Sequence, residues 1–385
     1  MRLTAIALAT TLIACTEATP GNAQNGTAPA PQAASPAAGL PFTVTEVADL
    51  DAPWAMTFLP DGRMLVTEKA GQMLLLSADG KQKRTVATIL VDSAGQGGLM
   101  DVVAAPGFAQ NRQVYFSYST AGAGGKGVVL ARGVLSGAAG AEQLTGITEL
   151  FRATPFVDGN GHYSGRIAFA PDGRHLFFTN GERQKFTPAQ DPKATLGKVL
   201  RLTLDGKPAG DPGLTAKGFH PAVWSYGHRN LLGIAFDRAG NPWEQEMGPE
   251  GGDEVNLILP GRNYGYPKVS NGRNYGAATD DIPDHAPGDG FEAPKVWWNP
   301  VISPGGLLLY TGAMFPEWQG DLFIGGLSSK ALIRVDVNGT SAAKGDQWPM
   351  GTRIRDADQG PDGAIWVLED GGRGSNGKVM KLTKR

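Results

Sequence analysis

One of the five histidines, His162, stands in residues 158–173 (DGNGHYSGRIAFAPDG), between a glycine-rich turn and a strand-like run. A neutral imidazole, with an unperturbed pKa of ~6.5, is the usual proton acceptor at neutral pH. Asn160 and Gly161 allow the backbone to bend and a small ligand to approach, and Arg166 follows on the incoming strand. A histidine that only caps a turn would have the same local sequence, so this segment alone favours neither interpretation.

A second group of polar residues, His228, Arg229 and Asn230, separates an aromatic lead-in from an apolar strand-like run. Arginine presents a planar fork suited to carboxylates, and asparagine both donates and accepts hydrogen bonds. The pair predicts a site for an anionic, oxygen-rich small molecule. The alternative is an arginine that only satisfies loop carbonyls.

Two further segments add to this set. Gln96 lies in a glycine turn before a strand, in GQGGLMDVV (residues 95–103). In RIRD (residues 353–356), Arg353 and Arg355 point to one face at the period of a strand. Two like charges on one face indicate that an anion binds there.

Calcium is indicated by residues 244–267 (EQEMGPEGGDEVNLILPGRNYGYP), which combine glycine turns with closely spaced carboxylates. Exposed backbone carbonyls and carboxylates are the hard oxygen ligands that Ca²⁺ prefers, although the spacing is not that of an EF-hand. Zinc is not expected, because the histidines are scattered and the only cysteine lies near the N-terminus. A solvated acidic loop is the alternative. The acidic residues are Glu244, Glu246, Glu250, Asp253 and Glu254.

The elements that must position these residues are short strands separated by turns. A unit of apolar residue, tight turn and strand recurs six times, starting near residues 58, 106, 169, 236, 320 and 362. This repetition predicts an all-β fold, a six-bladed β-propeller with four-stranded antiparallel blades over residues 40–385. Its loops would converge on a central channel, and the longest interval, between 236 and 320, is expected to carry function. Two β-sandwiches with similar turns are the alternative.

The N-terminus indicates export. Residues 3–14 are apolar but too short to span a bilayer, and LIAC, ending at Cys15, resembles a bacterial lipobox. Residues 1–15 are therefore expected to be a lipoprotein-type signal peptide, with Cys15 lipidated and residues 16–39 a flexible tether. The expected location is periplasmic, anchored to a bacterial membrane, in particular the outer membrane. A plain signal peptide cut further on is the alternative. The net charge of −2 gives no reason to expect nucleic acid as a partner.

Taken in order, GQGGL, GHYSGRIAF, YGHRN, GPEGGDEVNLI and RIRD resemble the segments of the soluble quinoprotein glucose dehydrogenases and aldose sugar dehydrogenases. The resemblance runs from about residue 47 to the C-terminus. It implies a six-bladed propeller that holds pyrroloquinoline quinone (PQQ) and Ca²⁺ over its channel. It also implies oxidation of the C1 hydroxyl of an aldose to a lactone by hydride transfer to PQQ, with a periplasmic electron acceptor as partner.

The resemblance also implies individual roles. His162 would accept the hydroxyl proton, and Arg229 would stabilise negative charge beside the quinone oxygen. The backbone oxygens of Gly248 and Pro249 match ligands of the catalytic Ca²⁺. The positions that match cofactor or pocket residues are Gln96, Arg229, Asn230, Arg353 and Arg355, and those that match a second, structural Ca²⁺ site are Glu254 and Tyr264.

The chain departs from the family in two places that concern the cofactor. Met247 stands where a glutamine or histidine usually precedes Gly-Pro, and Ser328 stands where a lysine is often found. Lys330, two residues further on, is expected to supply the missing ammonium group. Two other functions fit the sequence: a calcium-dependent lactone or ester hydrolase, which predicts a carboxylate-rich channel floor, and a lipid-tethered binding module without redox activity.

Overall fold

The computed structural model describes residues 39–275, 281–373 and 377–385, which fold almost entirely as antiparallel β-sheet. Helical structure in these ranges is limited to one α-helical turn, α1 (Phe108–Asn111), and 3₁₀ turns at Thr187–Ala189, Thr215–Lys217 and Pro316–Trp318. None of the described helices has the length and hydropathy needed to cross a bilayer. The lipobox at Cys15 and all but the last residue of the expected tether lie outside the described residues.

The strands form six four-stranded sheets and one two-stranded sheet, which confirms the predicted six-bladed β-propeller. In chain order the strands are β1 (Phe42–Asp49); blade 1, β2 (Pro53–Phe58), β3 (Met64–Glu68), β4 (Gln72–Leu76) and β5 (Lys83–Thr88); blade 2, β6 (Leu99–Ala104), β7 (Gln113–Gly122), β8 (Gly125–Ser136) and β9 (Gln143–Arg152); blade 3, β10 (Ser164–Phe169), β11 (His175–Asn180), β12 (Lys198–Thr203) and β13 (Val223–Tyr226); blade 4, β14 (Leu231–Phe236), β15 (Pro242–Glu246), β17 (Asp253–Leu257) and β19 (Val296–Trp298), with the small sheet of β16 (Glu250–Gly251) and β18 (Gly272–Arg273) inserted; blade 5, β20 (Pro304–Leu309), β21 (Leu322–Gly326), β22 (Ala331–Asn338) and β23 (Ser341–Pro349); and blade 6, β24 (Ile354–Gln359), β25 (Ile365–Glu369) and β26 (Lys378–Lys384).

The burial of each strand follows its place in the blade. The second strands are covered on both faces by neighbouring blades, so every residue of β3, β21 and β25 is buried. They therefore read as continuous apolar runs rather than as an alternating pattern. Outer strands such as β1 and β23 have one solvated face and are mostly exposed. The hydrophobic core accordingly lies between adjacent blades.

The first strands of the blades stand side by side around the channel. Each contacts the next, in the order β2, β6, β10, β14, β20 and β24, and β24 contacts β2. The ring is closed by β1, which pairs with the C-terminal strand β26 from Phe42 opposite Lys384 to Asp49 opposite Lys378. All six predicted turns lie between the first and second strands of their blades.

The third residues of three first strands, Asp101 of β6, Arg166 of β10 and Asp356 of β24, form a charged layer across the channel. Arg166 of β10 donates to Asp101 Oδ1 of β6 at 3.1 Å and to the Leu232 carbonyl at 2.8 Å, and it forms a 3.1 Å ion pair with Asp356 of β24. Its guanidinium also lies 4.2 Å from the ring centroid of Trp54. In β20 the equivalent residue is Gly306, and a side chain there would collide with the Asp356 carboxylate. Arg166 therefore ties blades 2, 3, 4 and 6 together across the channel.

Candidate active site

The candidate site lies at one rim of the channel. In a propeller the first strands all enter the blade from the same end, and the second strands finish there because they run antiparallel. Gln96, His162, Arg229, Asn230 and Arg353 all stand one to three residues before the first strand of a blade. The fold therefore brings these separate sequence motifs to a single rim.

A cavity of about 490 Å³ opens at this rim, and residues from all six blades line it. Gln96, Asn230, Arg353 and Arg355 are among the lining residues, as are Met247 and Ser328. The charged lining residues are four basic side chains and one carboxylate, which leave a net charge of +3. They are Lys69, Arg353, Arg355, Arg373 and Asp370. A cavity with this charge is suited to an anionic ligand.

His162 is not itself a lining residue of the cavity; it stands next to two lining residues in sequence, Tyr163 and Ser164, and 7% of its side chain is exposed. Its backbone N–H donates to Gln96 Oε1 at 2.7 Å, and its Nδ1 is hydrogen-bonded to Glu182 Oε1. Burial lowers the pKa of His162, an effect that the Glu182 carboxylate opposes and the positive charge of Arg229 increases. The imidazole is thus neutral at pH 7. With Nδ1 directed at Glu182, Nε2 is the atom that can accept a proton.

Glu182 is fully buried and follows β11. Its carboxylate also accepts backbone N–H groups from Gln184, Lys185 and Phe186 at 2.9, 2.5 and 2.7 Å. Burial alone would raise the pKa of Glu182, but the hydrogen bond to His162 and the surrounding donors bring it below its ordinary value. Glu182 is therefore an anion with a fixed position behind the imidazole.

The turn that carries His162 is held in a strained conformation. His162 has a φ of 47° and Ser164 a φ of 61°, in the left-handed region that costs non-glycine residues free energy. Arg183, 1% exposed, holds the turn by donating to the carbonyls of Gly159 and Gly161, and its guanidinium lies 3.5 Å from the ring centroid of Tyr163. The two carbonyls before His162 are thus the acceptors that hold the turn.

Arg229 lies next to the cavity, behind Asn230 and Met247, and is 7% exposed. Its backbone N–H donates to Glu246, and its Nη1 donates to the carbonyl oxygens of Met247, at 3.0 Å, and Gly248. Asn230 accepts from Ser164 Oγ at 3.3 Å, and its amide lies 3.7 Å from the sulfur of Met247. Met247 therefore occupies the position from which a polar side chain could reach the ligand.

The two predicted carbonyl ligands of the catalytic Ca²⁺ have partners within the chain. The Gly248 oxygen accepts from Arg229, and the Pro249 oxygen accepts from the Tyr275 hydroxyl at 3.3 Å. Both acceptors belong to the turn between β15 and β17, which Asp253 fixes by accepting the Gly248 N–H at 2.9 Å. A cation bound at these carbonyls would compete with the Arg229 guanidinium for Gly248.

Arg353 and Arg355 meet on one face, as the strand period predicts. Arg353 Nε donates to Asp370 Oδ2 at 2.8 Å, and Arg355 donates twice to Asp370 Oδ1, at 3.0 and 2.9 Å. The shared carboxylate compensates only one of the two charges. The remaining charge faces the cavity that both arginines line.

Lys330 stands apart from these residues. Its side chain is exposed and does not line the cavity, whereas Ser328, two residues earlier, does. The lysine that does line the cavity is Lys69, which follows β3 and was not singled out by its sequence.

A buried carboxylate patch lies on one face of blade 4. In the β15–β17 register Glu246 is opposite Glu254 and Glu244 is opposite Asn256, and His228 Nδ1 contacts Glu246 Oε1 at 3.0 Å. One ligand atom from each of His228, Glu244 and Glu246 lies within 4.8 Å of the other two. Burial raises the pKa values of Glu244, Glu246 and Glu254, that of Glu246 to about 7. These residues are thus not a solvated acidic loop.

The patch fits a hard cation. A single amide group, that of Asn256, donates to Glu244 and Glu254 at 3.2 and 3.0 Å, while Glu244 Oε1 and Asn256 Oδ1 have no hydrogen-bond partner among the described residues. Glu254 and Tyr264 line one small cavity, but the Tyr264 hydroxyl is occupied by Leu257 and Leu259. Any contribution of Tyr264 to a metal site is therefore made by its backbone oxygen.

Sequence reasoning missed Glu182, Lys69 and Asp370, and one positional rule explains all three. Each stands within two residues of the end of a second strand: β11, β3 and β25, respectively. Those strands are visible in the sequence as apolar runs, so polar residues directly after them are a usable signal.

Similar proteins are known. The aldose sugar dehydrogenase YliI of Escherichia coli (strain K12) is 38% identical over 350 residues, covering 87% of this chain and 91% of that protein. The crystal structure of the soluble aldose sugar dehydrogenase from Escherichia coli in its apo form matches with a TM-score of 0.82 at 36% identity, over 89% of this chain and 100% of the other. The PQQ-bound aldose sugar dehydrogenase from Streptomyces coelicolor matches with a TM-score of 0.72 at 28% identity, over 89% and 98%.

The match to a family extends over nearly the whole propeller. Residues 50–381 fit the family described as Glucose / Sorbosone dehydrogenase, from the end of β1 to the last strand of blade 6. The motifs that meet at the channel rim all fall within this range. The chain therefore belongs to the glucose/sorbosone dehydrogenase family.

Proposed function

We propose that this protein is a PQQ- and Ca²⁺-dependent dehydrogenase that oxidises the C1 hydroxyl of aldose sugars to lactones. The observation that carries the proposal is the His162–Glu182 pair, which adjoins the lining residues Tyr163 and Ser164 of a cavity with a net charge of +3. The pair supplies a proton acceptor, and the charge suits a polyanionic cofactor. The similarity to aldose sugar dehydrogenases, one of them PQQ-bound, supports both parts.

PQQ fits the chemistry of the cavity. It is a tricarboxylate, and the lining residues carry four cationic groups against one carboxylate. Arg353 and Arg355 would hold cofactor carboxylates, while Gln96 and Asn230 would donate or accept hydrogen bonds at its polar edge. When bound, PQQ would supply the hydride acceptor, and Ca²⁺ would act as a Lewis acid that polarises it.

His162 would take the proton of the sugar C1 hydroxyl at Nε2 as the C1 hydrogen leaves with its electron pair. Burial keeps the imidazole neutral before the reaction, which leaves the Nε2 lone pair free. The proton converts His162 to an imidazolium, and Glu182 stabilises that charge through Nδ1–H. Loss of one proton and one hydride from C1–OH gives the lactone.

Arg229 would contribute positive charge close to both His162 and the turn of Gly248. Burial is the main cause of the lowered pKa of His162, and the positive charge of Arg229 lowers it further, which helps to keep the base neutral. A fixed guanidinium is also suited to stabilise negative charge that develops on a neighbouring oxygen.

Two calcium sites belong to the proposal. Gly248 and Pro249 would offer backbone oxygens to the Ca²⁺ near the cofactor, with Arg229 releasing its contact to Gly248. Glu254, with the neighbouring carboxylates and the Tyr264 carbonyl, would hold a second Ca²⁺ with a structural role. Three buried carboxyl groups, one of which has an oxygen without a hydrogen-bond partner (Glu244 Oε1), support a cation there.

We also propose a periplasmic location, with a lipid anchor on Cys15 and the tether separating the propeller from the membrane. A periplasmic protein would then be the electron acceptor that reoxidises the reduced cofactor. Metabolic labelling with a fatty-acid analogue tests the anchor: labelling that depends on Cys15 supports it, and labelling that persists in C15A contradicts it.

Reconstitution tests the activity. The purified protein is incubated with PQQ and CaCl₂, and reduction of a redox dye is followed with a panel of aldoses. We expect turnover that requires both PQQ and Ca²⁺, and that yields lactone. Turnover of lactones or esters without PQQ would support a hydrolase instead, and folded protein that binds no PQQ would contradict the proposal.

A further inference from the structure

Lys69 is held at the wall of the cavity by its backbone. Its N–H donates to the Ala52 carbonyl at 3.0 Å, and its own carbonyl accepts the Leu99 N–H at 3.1 Å. These two residues belong to the entrances of the first strands of blades 1 and 2. The position of the Lys69 Cα is thus fixed between two blades.

The Lys69 ammonium group makes one hydrogen bond among the described residues and has protons left to donate. It donates to the Gly95 carbonyl at 2.6 Å, next to the cavity residue Gln96. No carboxylate lies within ion-pair distance of Lys69 among the described residues. Asp370, the only carboxylate that lines the cavity in the described part of the chain, already accepts from Arg353 and Arg355.

The surroundings of Lys69 would favour an anion. Burial lowers the pKa of Lys69 and the positive charge of Arg355 lowers it further, while the Asp370 carboxylate, which already accepts from both arginines, opposes this lowering. A half-buried cation that faces another cation, without a carboxylate of its own, gains from a negative ligand placed between them.

We propose that Lys69 supplies the ammonium group that pairs with a carboxylate of the anionic cofactor in this cavity. The identity of that anion as PQQ rests on the proposed function. Lys69 would thus do what the sequence suggests for Lys330, whose exposed side chain lies off the cavity. Lys69 reaches the cavity from blade 1, whereas Ser328, at the position where the family often has a lysine, lies in blade 5. The ammonium group would therefore approach the cofactor from a different blade.

Equilibrium binding of PQQ tests the proposal without relying on turnover. Full-length wild type is titrated with PQQ in the presence of CaCl₂ at several NaCl concentrations, beside Lys69→Met (K69M), Lys69→Gln (K69Q) and Lys330→Met (K330M). Lys217→Met (K217M) is the matched control, because it removes one lysine charge from an exposed 3₁₀ turn. Circular dichroism checks that each variant is folded.

We expect K69M to raise the Kd for PQQ at least tenfold and to weaken its dependence on salt. K69Q keeps a donor for the Gly95 carbonyl without the charge, and it should resemble K69M. K330M and K217M should stay within twofold of wild type. As a second readout, NMR of the Lys69 ε-carbon should report a pKa that rises when PQQ binds.

Different failures have different meanings. Wild type that binds PQQ while K69M binds it equally well would overturn this inference alone, as would K330M weakening binding in place of K69M. K69Q with wild-type affinity would assign Lys69 a role in holding Gly95 and overturn the ion pair. Wild type that binds no PQQ would overturn the proposed function, and this inference with it.

Discussion

Glu182→Gln (E182Q) removes the negative charge behind His162 while keeping the size of the side chain. In the wild type the buried carboxylate accepts from the His162 ring and from three backbone N–H groups. A glutamine offers one acceptor oxygen and an NH₂ group in their place. At least one of the donors around it would then face another donor.

The size of the effect follows from that lost interaction. A hydrogen bond to a charged group contributes about 1.5–3 kcal/mol, and about 1.4 kcal/mol corresponds to tenfold in rate. Since the imidazolium forms as the sugar is oxidised, the loss falls on the transition state. We expect kcat to fall about ten- to hundredfold, with a smaller effect on KM.

The pH dependence adds a second, signed expectation. His162 must be neutral to act, and burial keeps its pKa below the ordinary 6.5, so wild-type turnover should be level above neutral pH and fall on acidification. Glu182 opposes that lowering, so in E182Q the pKa of His162 falls further. In the pH profile of kcat, the fall on the acidic side (the acidic limb) should therefore move to lower pH, and the constant value above neutral pH (the plateau) should be smaller than in the wild type.

Dye-coupled kinetics and NMR of the His162 ring measure these two effects. The matched control is Asp172→Asn (D172N), which breaks a similar pair, His175 Nδ1 to Asp172 Oδ2 at 2.6 Å, in a surface turn of the same blade. D172N should keep the wild-type plateau. E182Q with a wild-type kcat and an unmoved acidic limb would refute the role of Glu182.

Two further predictions concern stability. Arg166→Met (R166M) leaves Asp101 and Asp356 buried without their cation, and losing one partner of a buried pair costs about 3–5 kcal/mol. Without the arginine, Asp101 and Asp356 have raised pKa values in the folded state, so keeping them ionised at high pH costs stability. The loss of unfolding free energy, measured with urea, should therefore be larger at pH 8 than at pH 5. Equal losses at both pH values would contradict this reasoning. Removal of Ca²⁺ by EGTA, without PQQ present, should lower the thermal unfolding temperature, since a ligand at a hundred times its Kd contributes about 2.7 kcal/mol. Glu254→Gln should start from the lower temperature and be insensitive to EGTA, and a wild-type protein that EGTA leaves unchanged would contradict a structural calcium site.

The propeller could be predicted because its second strands are covered on both faces. Runs such as MLVTE and HLFFTN stand out as apolar for that reason, and the Pro-Asp-Gly turns mark where first and second strands meet. The closure of the ring could not be predicted in the same way. β1 has one solvated face and pairs with β26 at the other end of the chain, a contact that leaves no local signal.

The site was predictable where its residues stand before a first strand among glycines. His162, Arg229 and Arg353 are of that kind. Lys69 and Glu182 are not, because a lysine or glutamate after a strand usually belongs to a solvated turn. Their position within two residues of the end of a second strand marks them as candidates, and the geometry of the rim then separates them from residues of solvated turns. Lys330 illustrates the converse, since nearness in sequence to Ser328 does not place its side chain in the cavity.

The buried patch on blade 4 shows a further limit of sequence. Glu244, Glu246 and Glu254 have the composition of an exposed acidic loop, and only the β15–β17 register places them on one covered face. Arg166 is a similar case, because its partners Asp101 and Asp356 are far from it in sequence. Two carboxylates that would contribute to an acidic channel floor are thereby paired with a cation.

The most direct test is a single-turnover experiment with the PQQ-loaded protein, no dye, and glucose carrying either hydrogen or deuterium at C1. We predict loss of the absorbance of the oxidised cofactor with a primary isotope effect, one lactone formed per PQQ, and a rate at least a hundredfold lower in His162→Gln that still binds PQQ. Equal rates in wild type and His162→Gln would contradict the central claim that His162 accepts the sugar proton, and the absence of any reduction by aldoses would contradict the dehydrogenase itself.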